Sequence, residues 1–595
     1  MIKNCLKRKG VFEMATMMAG QALAKVLEKW DVDHVYGITA DSINNTVDGL
    51  YQERDQIKYI QVRHEEIGAL AAAADAKLTG TIGVAFGSAG PGSVHMLNGL
   101  YEAKMDHTPV LALVGQSATG VMNTNFFQEM NQDPIFADVA EFHKQVVNAD
   151  QIPKVVDEAI RSAYATKSVS VVILPDDLSG QEIDYHELKT AALNKQTTKL
   201  PVDAADVKQV AAAIKQAKRP IMWLGQGAYG AKKAAVAVSE KFGLPVLTTA
   251  PAANVFPSDH ANYMGARGRL GTKPAFEVSQ ASDLILFVGT NYPFARFMPA
   301  DKTIIQVNNN LADLGKQYDA DITVLGDAAQ FLAGLAQTDY QAQPTAFLKA
   351  AQKDRTLWMQ WLEKLAADDQ NGLRAEGVIQ AIKENATDNA IFGLDVGNNT
   401  EWSLRQLPFN KEQKYAMSPW YGTMGFGLPA GLAGKLSFPD RQVWSISGDG
   451  GYAMVMPDLL TEVKYNLPVI NVVLENKSFG YIGHEKIQAN QAPYGIDLVG
   501  ADWGKVAQDM GAIGFTVTNL AELKDAMNQI NDLQKKGNQL PIVLDAKIQN
   551  IDPLDTSFIP VDPETFDADT IANYRKTYDL PAEEQPAFSD ILKNI

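Results

Sequence analysis

An acid and an amide follow two apolar runs in the last third of the chain. Asp449 follows the run 443–446 inside a turn rich in glycine, and Asn476 follows the run 468–474. The residues between them predict a helix that begins near Pro457, because proline lacks an N–H group and suits the first turn of a helix. Strand, helix and strand then form a βαβ unit, which brings both strand ends to one edge of a parallel sheet.

This edge combines metal-ligand side chains with a backbone that can hold an anion. Carboxylate and amide oxygens, here 27 positions apart in the chain, are ligands that Mg²⁺ and Ca²⁺ prefer. Gly448, Gly450 and Gly451 let the backbone approach a bulky anion, and the start of a helix offers free N–H groups. Spacing alone leaves two interpretations open: a metal clamp on a diphosphate, and a tight turn whose acid is only solvated.

The sequence 448–485 resembles the signature of thiamin diphosphate enzymes, which is GDG followed by roughly 25 residues and Asn. The resemblance implies that Mg²⁺ is held by the side chains of Asp449 and Asn476 and by the backbone carbonyl of Ser478. It also implies that the loop 421–429 bends the cofactor over Met424, a residue that its type alone would assign to the core. Further implied cofactor contacts are Gly450, Gly451, Gly480, Tyr481 and Ile482, and Tyr481 and Glu485 are implied to lie near the substrate.

Glu65 stands where a predicted strand, 59–62, turns into a predicted helix, 66–78. From its position alone it is an acid that satisfies a helix dipole. The surrounding IQVRHEEIGALAAAADAKLTG resembles the pyrimidine-binding domain of pyruvate oxidases and acetolactate synthases. By that resemblance Glu65 hydrogen-bonds the aminopyrimidine ring of the cofactor and drives it towards its imino form. Phe127 and Gln128 match a segment that lines the substrate pocket, although residue type alone would place Phe127 in the core.

Three histidines and a glycine turn surround this region of the sequence. His64, His95 and His107 lack the spacing of metal ligands, so each is interpreted as a structural hydrogen-bonding residue, and only His95 is a candidate to face the cofactor. The turn 87–92, GSAGPG, follows a predicted strand and opens a helix, a pattern that tolerates an anion but is common. In the family that the sequence resembles, this turn lies beside the active centre.

The middle of the chain carries G-x-G-x-x-G, at 225–230, between a predicted strand and a helix. A nicotinamide site would also need an acid about 20 residues further on, and the next strand ends in Thr248, Thr249 and Ala250 instead. The segment resembles the flavin domain of pyruvate oxidases, although Asn308 and Asn310 stand where relatives carry acids and Ala253 stands where they often carry lysine. The implied FAD contacts are Gly225, Gly227, Thr249, Arg269, Gly289, Asn291, Asn308 and Asp327; Arg269 could also be an ordinary surface charge.

Composition excludes several classes of function. The formal charge of −17 and the lack of a basic tract disfavour binding to nucleic acid. The single cysteine, Cys5, excludes an internal disulfide and fits a reducing compartment. The basic N-terminus has no apolar centre of the kind found in secretory signals, and no run of about 18 apolar residues predicts a membrane span. The sequence therefore predicts a cytoplasmic protein without stable membrane insertion.

Alternating strands and helices predict an α/β fold with three doubly wound parallel-sheet domains and a C-terminal tail. The resemblance assigns a pyrimidine-binding domain to 14–190, an FAD-binding domain to 200–337, a diphosphate- and Mg²⁺-binding domain to 372–550 and the tail to 551–595. The linker between the first two domains is expected in the polar sequence HELKTAALNKQTTKLPVD.

The resemblance implies an enzyme that decarboxylates pyruvate through an enamine of thiamin diphosphate. Electrons would pass to FAD and then to O₂, giving H₂O₂, and phosphate would release acetyl phosphate from a homotetramer. Asp41 stands where phosphate-using relatives have a glycine-rich turn, so its charge is expected to weaken phosphate use in favour of water or another acceptor. The alternatives are a carboligase similar to acetolactate synthase and a cofactor-binding protein without catalysis.

Overall fold

A computed structural model describes residues 15–187, 199–410 and 412–595. The N-terminal tail with Cys5 and most of the predicted linker lie outside the described residues. The chain divides into two compact units, and each is described by itself. The first unit consists of Met1–Thr197, Trp420–Asp440 and Val455–Leu467, and the second of Thr198–Pro419, Arg441–Met454 and Pro468–Ile595.

The first unit is built on a parallel sheet of six strands. In spatial order the strands are Lys58–Gln61, His34–Gly37, Gly83–Gly87, Val110–Gln116, Val169–Pro175 and Ala140–Gln145. Three neighbouring strands are buried along their whole length, which is typical of a parallel sheet covered on both faces: Gly83–Gly87, Val110–Gln116 and Val169–Pro175. A short antiparallel pair, Ala15–Met18 with Glu182–Tyr185, accompanies the sheet and was not predicted from the sequence.

Helices of the first unit follow nearly every strand. They are Ala19–Lys29, Asn44–Gln52, Glu65–Thr79, Pro91–His95, Leu97–Met105, Asp133–Phe136, Ile152–Thr166, Asp176–Ser179, Gly427–Ser437 and Leu459–Lys464. Helix Glu65–Thr79 is almost completely buried, and its row of alanines lets the sheet on one side and Gly427–Ser437 on another approach it closely. The helix that begins with Glu65 is therefore the centre of this unit.

The second unit contains two further six-stranded parallel sheets. The central sheet has the order Tyr263–Ala266, Val246–Thr248, Pro220–Leu224, Leu284–Val288, Thr303–Asn308 and Ile322–Leu325. The third sheet has the order Lys414–Ala416, Ile391–Leu394, Val443–Gly448, Ile470–Glu475, Ile542–Lys547 and Ile513–Val517. The first and third sheets share one strand order, counted along the chain within each domain, whereas the central sheet follows the Rossmann order.

The helices of the second unit cover these two sheets. They are Ala204–Gln216, Lys232–Phe242, Lys273–Ala281, Ala328–Ala336, Ala346–Ala366, Ala375–Asn385, Asn398–Gln406, Asp449–Val455, Gly480–Gln488, Trp503–Asp509, Leu520–Lys535, Ala568–Thr577 and Phe588–Lys593. The last of them packs its buried Phe588 and Ile591 into the core of the central domain, so the C-terminal tail is part of the fold.

The prediction of three doubly wound parallel-sheet domains is confirmed. One predicted boundary is wrong: the helix of the βαβ unit begins at Asp449, and Pro457 opens a later 3₁₀ turn, Met456–Asp458. The Asp449 carboxylate accepts the N–H of Gly450 in the first helical turn, so the helix begins directly after the strand. Among the described residues, no helix combines the length and the apolar character needed to cross a membrane.

Candidate functional site

Glu65 is the first residue of helix Glu65–Thr79 and follows the carboxyl end of the edge strand Lys58–Gln61. Its side chain is largely buried, and Oε2 lies 2.9 Å from Nδ1 of His95. The other oxygen, Oε1, faces Gly92, where an added Cβ would lie only 2.9 Å from it. The carboxyl group is thus held between an imidazole and a backbone with no side chain, which is a defined position for a proton-transferring acid.

The structure brings together two histidines that the sequence separates by 31 positions. The rings of His64 and His95 are stacked with centroids 4.3 Å apart and planes 27° apart. Ligand atoms of His64, Glu65 and His95 lie within 4.8 Å of one another, a grouping that their spacing in the sequence did not indicate. Nitrogen lone pairs lie in the ring planes, so two stacked rings are poorly placed to reach one metal ion.

The glycine turn 87–92 lies beside Glu65, since Gly92 faces its Oε1. An added Cβ at Gly87 would lie 2.6 Å from the carbonyl oxygen of Gly92, so the turn closes on itself. The hydroxyl of Ser42 accepts a 2.8 Å hydrogen bond from the N–H of Ala89. Asp41, next to Ser42, is exposed and its carboxylate accepts the N–H of Ser42. The loop that carries Asp41 therefore borders the glycine turn.

Phe127 and Gln128 lie on the loop that approaches this turn. The backbone of Gln128 has φ of +60° and lies against Gly90, itself at φ of +67°. Phe127 is 70% exposed, so the assignment to the core that its residue type suggested is wrong. The carboxylate of Glu129 accepts backbone N–H groups of Asn123 and Phe126 and so closes the loop that carries Phe127.

Met424 belongs to the first unit and is partly buried rather than enclosed in a core. The hydroxyl of its neighbour Thr423 accepts a 2.9 Å hydrogen bond from Asn98, whose amide also donates to Glu66 at 2.7 Å. The loop of Met424 is therefore tied through Asn98 to the first turn of the helix that carries Glu65.

In the second unit, Asp449 lies where the structure joins two neighbouring strand ends. Gly448 pairs with Leu474 across the sheet, and Asp449 Oδ2 accepts the N–H of Lys477 at 2.9 Å. Burial raises the pKa of Asp449 to about 6, while backbone N–H groups of Lys477 and Gly450 oppose this shift. A buried carboxyl with a raised pKa is a group that a cation would stabilise in its charged form.

Asn476 and Ser478 complete the predicted ligand set on the second strand end. The Asn476 side chain accepts the N–H of Ser478 at 3.2 Å and donates to Asn550 at 3.1 Å. Lys477 between them has φ of +58°, and this bend places the chain against Asp449. The structure thus brings Asp449 and the segment 476–478 together, as the βαβ prediction required.

The turn after Gly448 leaves no room for side chains. A Cβ at Gly450 would lie 2.6 Å from the ring of Phe479, and one at Gly451 would lie 2.7 Å from Oδ2 of Asp395. Asp395 is buried, accepts the N–H of Val396 and borders the glycines, a position that the sequence analysis did not recognise. The sequence could have indicated Asp395, because it directly follows a buried strand of the same sheet, where ligands of such sheets bind.

The helix Gly480–Gln488 presents the predicted substrate-side residues next to the central domain. Arg269 donates to Glu485 Oε1 at 2.7 Å and lies 4.1 Å from the centre of the Tyr481 ring. The side chain of Arg269 is only 15% exposed, so it is not an ordinary surface charge. Burial raises the pKa of Tyr481 to about 12. Ile482, which follows it, is exposed, and Gly480 lies against the side chains of Asn398 and Asn476.

The predicted flavin glycines meet at the switch point of the central sheet. Strands Pro220–Leu224 and Leu284–Val288 are neighbours there, with Gly225 and Gly227 after one and Gly289 after the other. An added Cβ at Gly225 would lie 2.4 Å from the carbonyl oxygen of Gly289, so the two loops pack backbone on backbone. Dinucleotides bind at this point of Rossmann sheets.

The other predicted flavin contacts have structural partners of their own. Asn308 is buried and accepts the N–H of Asn310, and Asn291 donates to Asp313 at 3.2 Å. Asp327 caps helix Ala328–Ala336, a role that the sequence analysis did not assign. Thr249 donates its N–H to Leu224 at 2.9 Å, directly beside the glycine turn.

The residues of the third domain fit a diphosphate and Mg²⁺. Carboxylate and amide oxygens converge at one strand edge. Gly450 and Gly451 pack against Phe479 and Asp395, which leaves no room for a Cβ and keeps the turn after Gly448 free of side chains. In the central domain, the glycines at the switch point fit a dinucleotide, and the lack of an acid at the end of Val246–Thr248 separates the site from a nicotinamide site.

Comparisons with known proteins place this geometry in a family. Three models of thiamine pyrophosphate enzymes match the chain in order: the N-terminal TPP binding domain at residues 17–135, the central domain at 207–335 and the C-terminal TPP binding domain at 395–545.

Curated relatives match over almost the whole chain. A pyruvate oxidase of Lactiplantibacillus plantarum is 40% identical over 98% of this chain and 97% of its own length. A putative thiamine pyrophosphate-containing protein, YdaP, of Bacillus subtilis is 37% identical over 98% of this chain and all of its own. An acetolactate synthase large subunit of Corynebacterium glutamicum is 28% identical over 89% and 86%. The chain therefore belongs to the thiamine pyrophosphate enzymes, the family that includes pyruvate oxidase and acetolactate synthase.

Proposed function

We propose that this enzyme oxidatively decarboxylates pyruvate, passes two electrons to FAD and then to O₂, and transfers the acetyl group to phosphate. Pyruvate, hydrogen phosphate, O₂ and one proton would give acetyl phosphate, CO₂ and H₂O₂. The observation that carries the proposal is 40% identity to a pyruvate oxidase across nearly the full length of both chains. The positions of Glu65, Asp449 and Asn476 at buried strand ends support it.

Each domain has a role in this proposal. Thiamin diphosphate, when bound, supplies the carbon that attacks the keto group and the ring that accepts the electrons left by CO₂. Glu65 exchanges a proton with the aminopyrimidine ring, and Met424 supports the bend between the two rings of the cofactor. Asp449, Asn476 and the Ser478 carbonyl hold Mg²⁺ on the diphosphate, with Gly450, Gly451, Gly480, Tyr481 and Ile482 around it.

The flavin and substrate assignments follow the same logic. FAD lies at the switch point of the central sheet, with Arg269 reaching from that domain to Glu485. The proposed flavin contacts are Gly225, Gly227, Thr249, Arg269, Gly289, Asn291, Asn308 and Asp327. Phe127, Gln128, Tyr481 and Glu485 contact pyruvate in this proposal. The exposed ring of Phe127 supports its role as a pocket or partner contact, because it has no place in the core.

Domain limits and assembly complete the proposal. The domains are 14–190, 200–337 and 372–550, with a tail at 551–595, in a homotetramer. Phosphate use is weakened by Asp41, an exposed acid in the loop whose Ser42 contacts the glycine turn beside Glu65. Water takes the acetyl group in a fraction of turnovers and gives acetate.

Purified protein with Mg²⁺, thiamin diphosphate, FAD and pyruvate tests the function. We expect O₂ uptake matched by H₂O₂, bleaching of the flavin spectrum by anaerobic pyruvate, and loss of turnover with a chelator that Mg²⁺ restores. Acetyl phosphate is measured as the hydroxamate, and Asp41→Gly should raise its yield per H₂O₂. Acetolactate formed from pyruvate without O₂ uptake would establish the carboligase function instead, and no turnover with all cofactors bound would favour a protein without catalysis.

A further inference from the structure

His95 provides the side-chain hydrogen bond that the structure gives to Glu65 Oε2. Its Nδ1 lies 2.9 Å from that oxygen, and the pair lies in the first unit together with the glycine turn. Glu65 Oε1 faces Gly92 and is the oxygen that remains for a ligand. The two oxygens of the Glu65 carboxyl group therefore differ: Oε2 is held by the imidazole, and Oε1, beside the Gly92 backbone, is available to a ligand.

The ring of His95 has a second contact. It is the last residue of the short helix Pro91–His95 and stacks on His64 at 4.3 Å. His64 caps helix Glu65–Thr79, where its Nδ1 accepts the N–H of Glu66 at 3.4 Å. The stack and the 2.9 Å contact with Glu65 Oε2 together direct Nδ1 of His95 towards the start of the helix that carries Glu65.

We propose that His95 is a positioning residue that donates a hydrogen bond from Nδ1–H to Glu65 Oε2 and so reserves Oε1 for the aminopyrimidine nitrogen. The inference rests on the proposed function and extends it. A carboxyl group that is free to rotate would offer either oxygen in many directions, whereas proton transfer needs one oxygen on the line to the ring nitrogen. His95 does not touch the reacting carbon in this proposal and acts only through Glu65.

Two substitutions separate the hydrogen bond from the stacking. His95→Phe keeps an aromatic ring against His64 but removes the donor. His95→Asn removes the ring but keeps an N–H donor close to the position of Nδ1. His95 has room for the larger ring, because its side chain is 41% exposed. A change that follows the donor and not the ring identifies the hydrogen bond as the cause.

The measured quantity is the rate at which the thiazolium C2 proton exchanges with D₂O. It is determined by quenched-flow NMR on the holoenzyme with saturating Mg²⁺ and thiamin diphosphate. We expect exchange in His95→Phe to be slower by about 10- to 100-fold, the size of effect that misplacement of a catalytic group produces. His95→Asn should stay within about 3-fold of the wild type on the same argument. Cofactor affinity, measured by tryptophan fluorescence, should change little in both variants, and near-ultraviolet circular dichroism of the aminopyrimidine checks its state independently.

The outcomes distinguish the inference from the function on which it rests. Fast exchange in the wild type, slow exchange in Glu65→Gln and unchanged exchange in His95→Phe would overturn only the role of His95. Equal slowing in His95→Phe and His95→Asn would also overturn it, since the ring and not the donor would matter. Exchange in the wild type no faster than in free cofactor would overturn both. Should His95→Phe fail to fold, His95→Leu with the same exchange and affinity measurements replaces it.

Discussion

At the residue scale, the orientation of Glu65 depends on a position that carries no side chain. Gly92→Ala would place a methyl group 2.9 Å from Glu65 Oε1 and 2.5 Å from the hydroxyl of Ser88. The carboxyl group would have to turn away, so we expect the turnover number to fall by about 10- to 100-fold while the fold is kept. Steady-state O₂ uptake with pyruvate measures this.

Gly120→Ala is the matched control, because an added Cβ at Gly120 meets no atom within 4 Å. Its turnover should equal that of the wild type. Full activity in Gly92→Ala would contradict the placement of Glu65 Oε1 against this glycine.

The residues themselves show how far sequence reasoning reached at this scale. The types and spacing of Asp449 and Asn476 predicted that they meet, because parallel strands end at one edge. The approach of His95 to Glu65 was not predictable in the same way, since it depends on how two helices, Glu65–Thr79 and Pro91–His95, pack around the strand between them. Residue type alone would have put Phe127 in the core, because hydrophobicity does not reveal that its loop is exposed.

At the element scale, helix Glu65–Thr79 is fastened by a buried acid. Asp75 accepts hydrogen bonds from Tyr36 at 3.1 Å and from Ser437, which joins helix Gly427–Ser437 to it. Burial raises the pKa of Asp75 from 3.8 to about 6. The raised pKa means that the folded state holds this proton between pH 4 and pH 6 while the unfolded state has lost it, so the contribution of Asp75 to stability falls as pH rises through this range.

Asp75→Asn removes this titration while keeping a side chain of the same shape. The stability of the variant relative to the wild type should therefore increase from pH 4 to pH 7, by on the order of 3 kcal/mol for a shift of about two pKa units. Hydrogen exchange of amides in Glu65–Thr79 at several pH values, corrected for intrinsic rates, checks it locally. A stability difference that does not change with pH would show that Asp75 has an ordinary pKa.

The boundaries of elements show where sequence patterns lose information. Strands were predicted well, because continuous apolar runs such as Val110–Gln116 are buried on both faces. The start of the Asp449 helix was predicted wrongly, because both Pro457 and Asp449, eight positions earlier, are residues that favour the first turn of a helix. The antiparallel pair Ala15–Met18 and Glu182–Tyr185 was missed because its strands are only four residues long and far apart in sequence.

At the scale of the whole molecule, the sequence predicted three sheets but not what fastens the tail to them. The alternation of strands and helices predicted the parallel sheets, whereas the strand order that the first and third sheets share was not predicted. For the tail, 551–595, the sequence predicted no packing partner. In the structure it contributes Phe588 and Ile591 to the core of the central domain, and Gln585 donates to Leu357 at 2.7 Å.

The fastening of the tail centres on Lys273, whose side chain is fully buried. Its ammonium group lies 2.7 Å from Asp354, contacts Glu277 and donates to the carbonyl of Pro586 at 3.1 Å. Burial alone would lower the pKa of Lys273, but the charges of Asp354 and Glu277 raise it above its ordinary value. Lys273→Met would leave two buried carboxyl groups without their cation, which typically costs about 3–5 kcal/mol.

We therefore expect Lys273→Met to lower the unfolding temperature markedly and to expose 586–595 to protease, as followed by mass spectrometry. Lys505→Met is the control, because the pair of Lys505 with Asp509 at 3.5 Å is exposed and contributes little. The triple variant Lys273→Met, Glu277→Gln, Asp354→Asn should recover part of the loss, since neutral groups tolerate burial better than unpaired charges. Equal unfolding temperatures for Lys273→Met and Lys505→Met would mean that the tail is held by Phe588 and Ile591 alone.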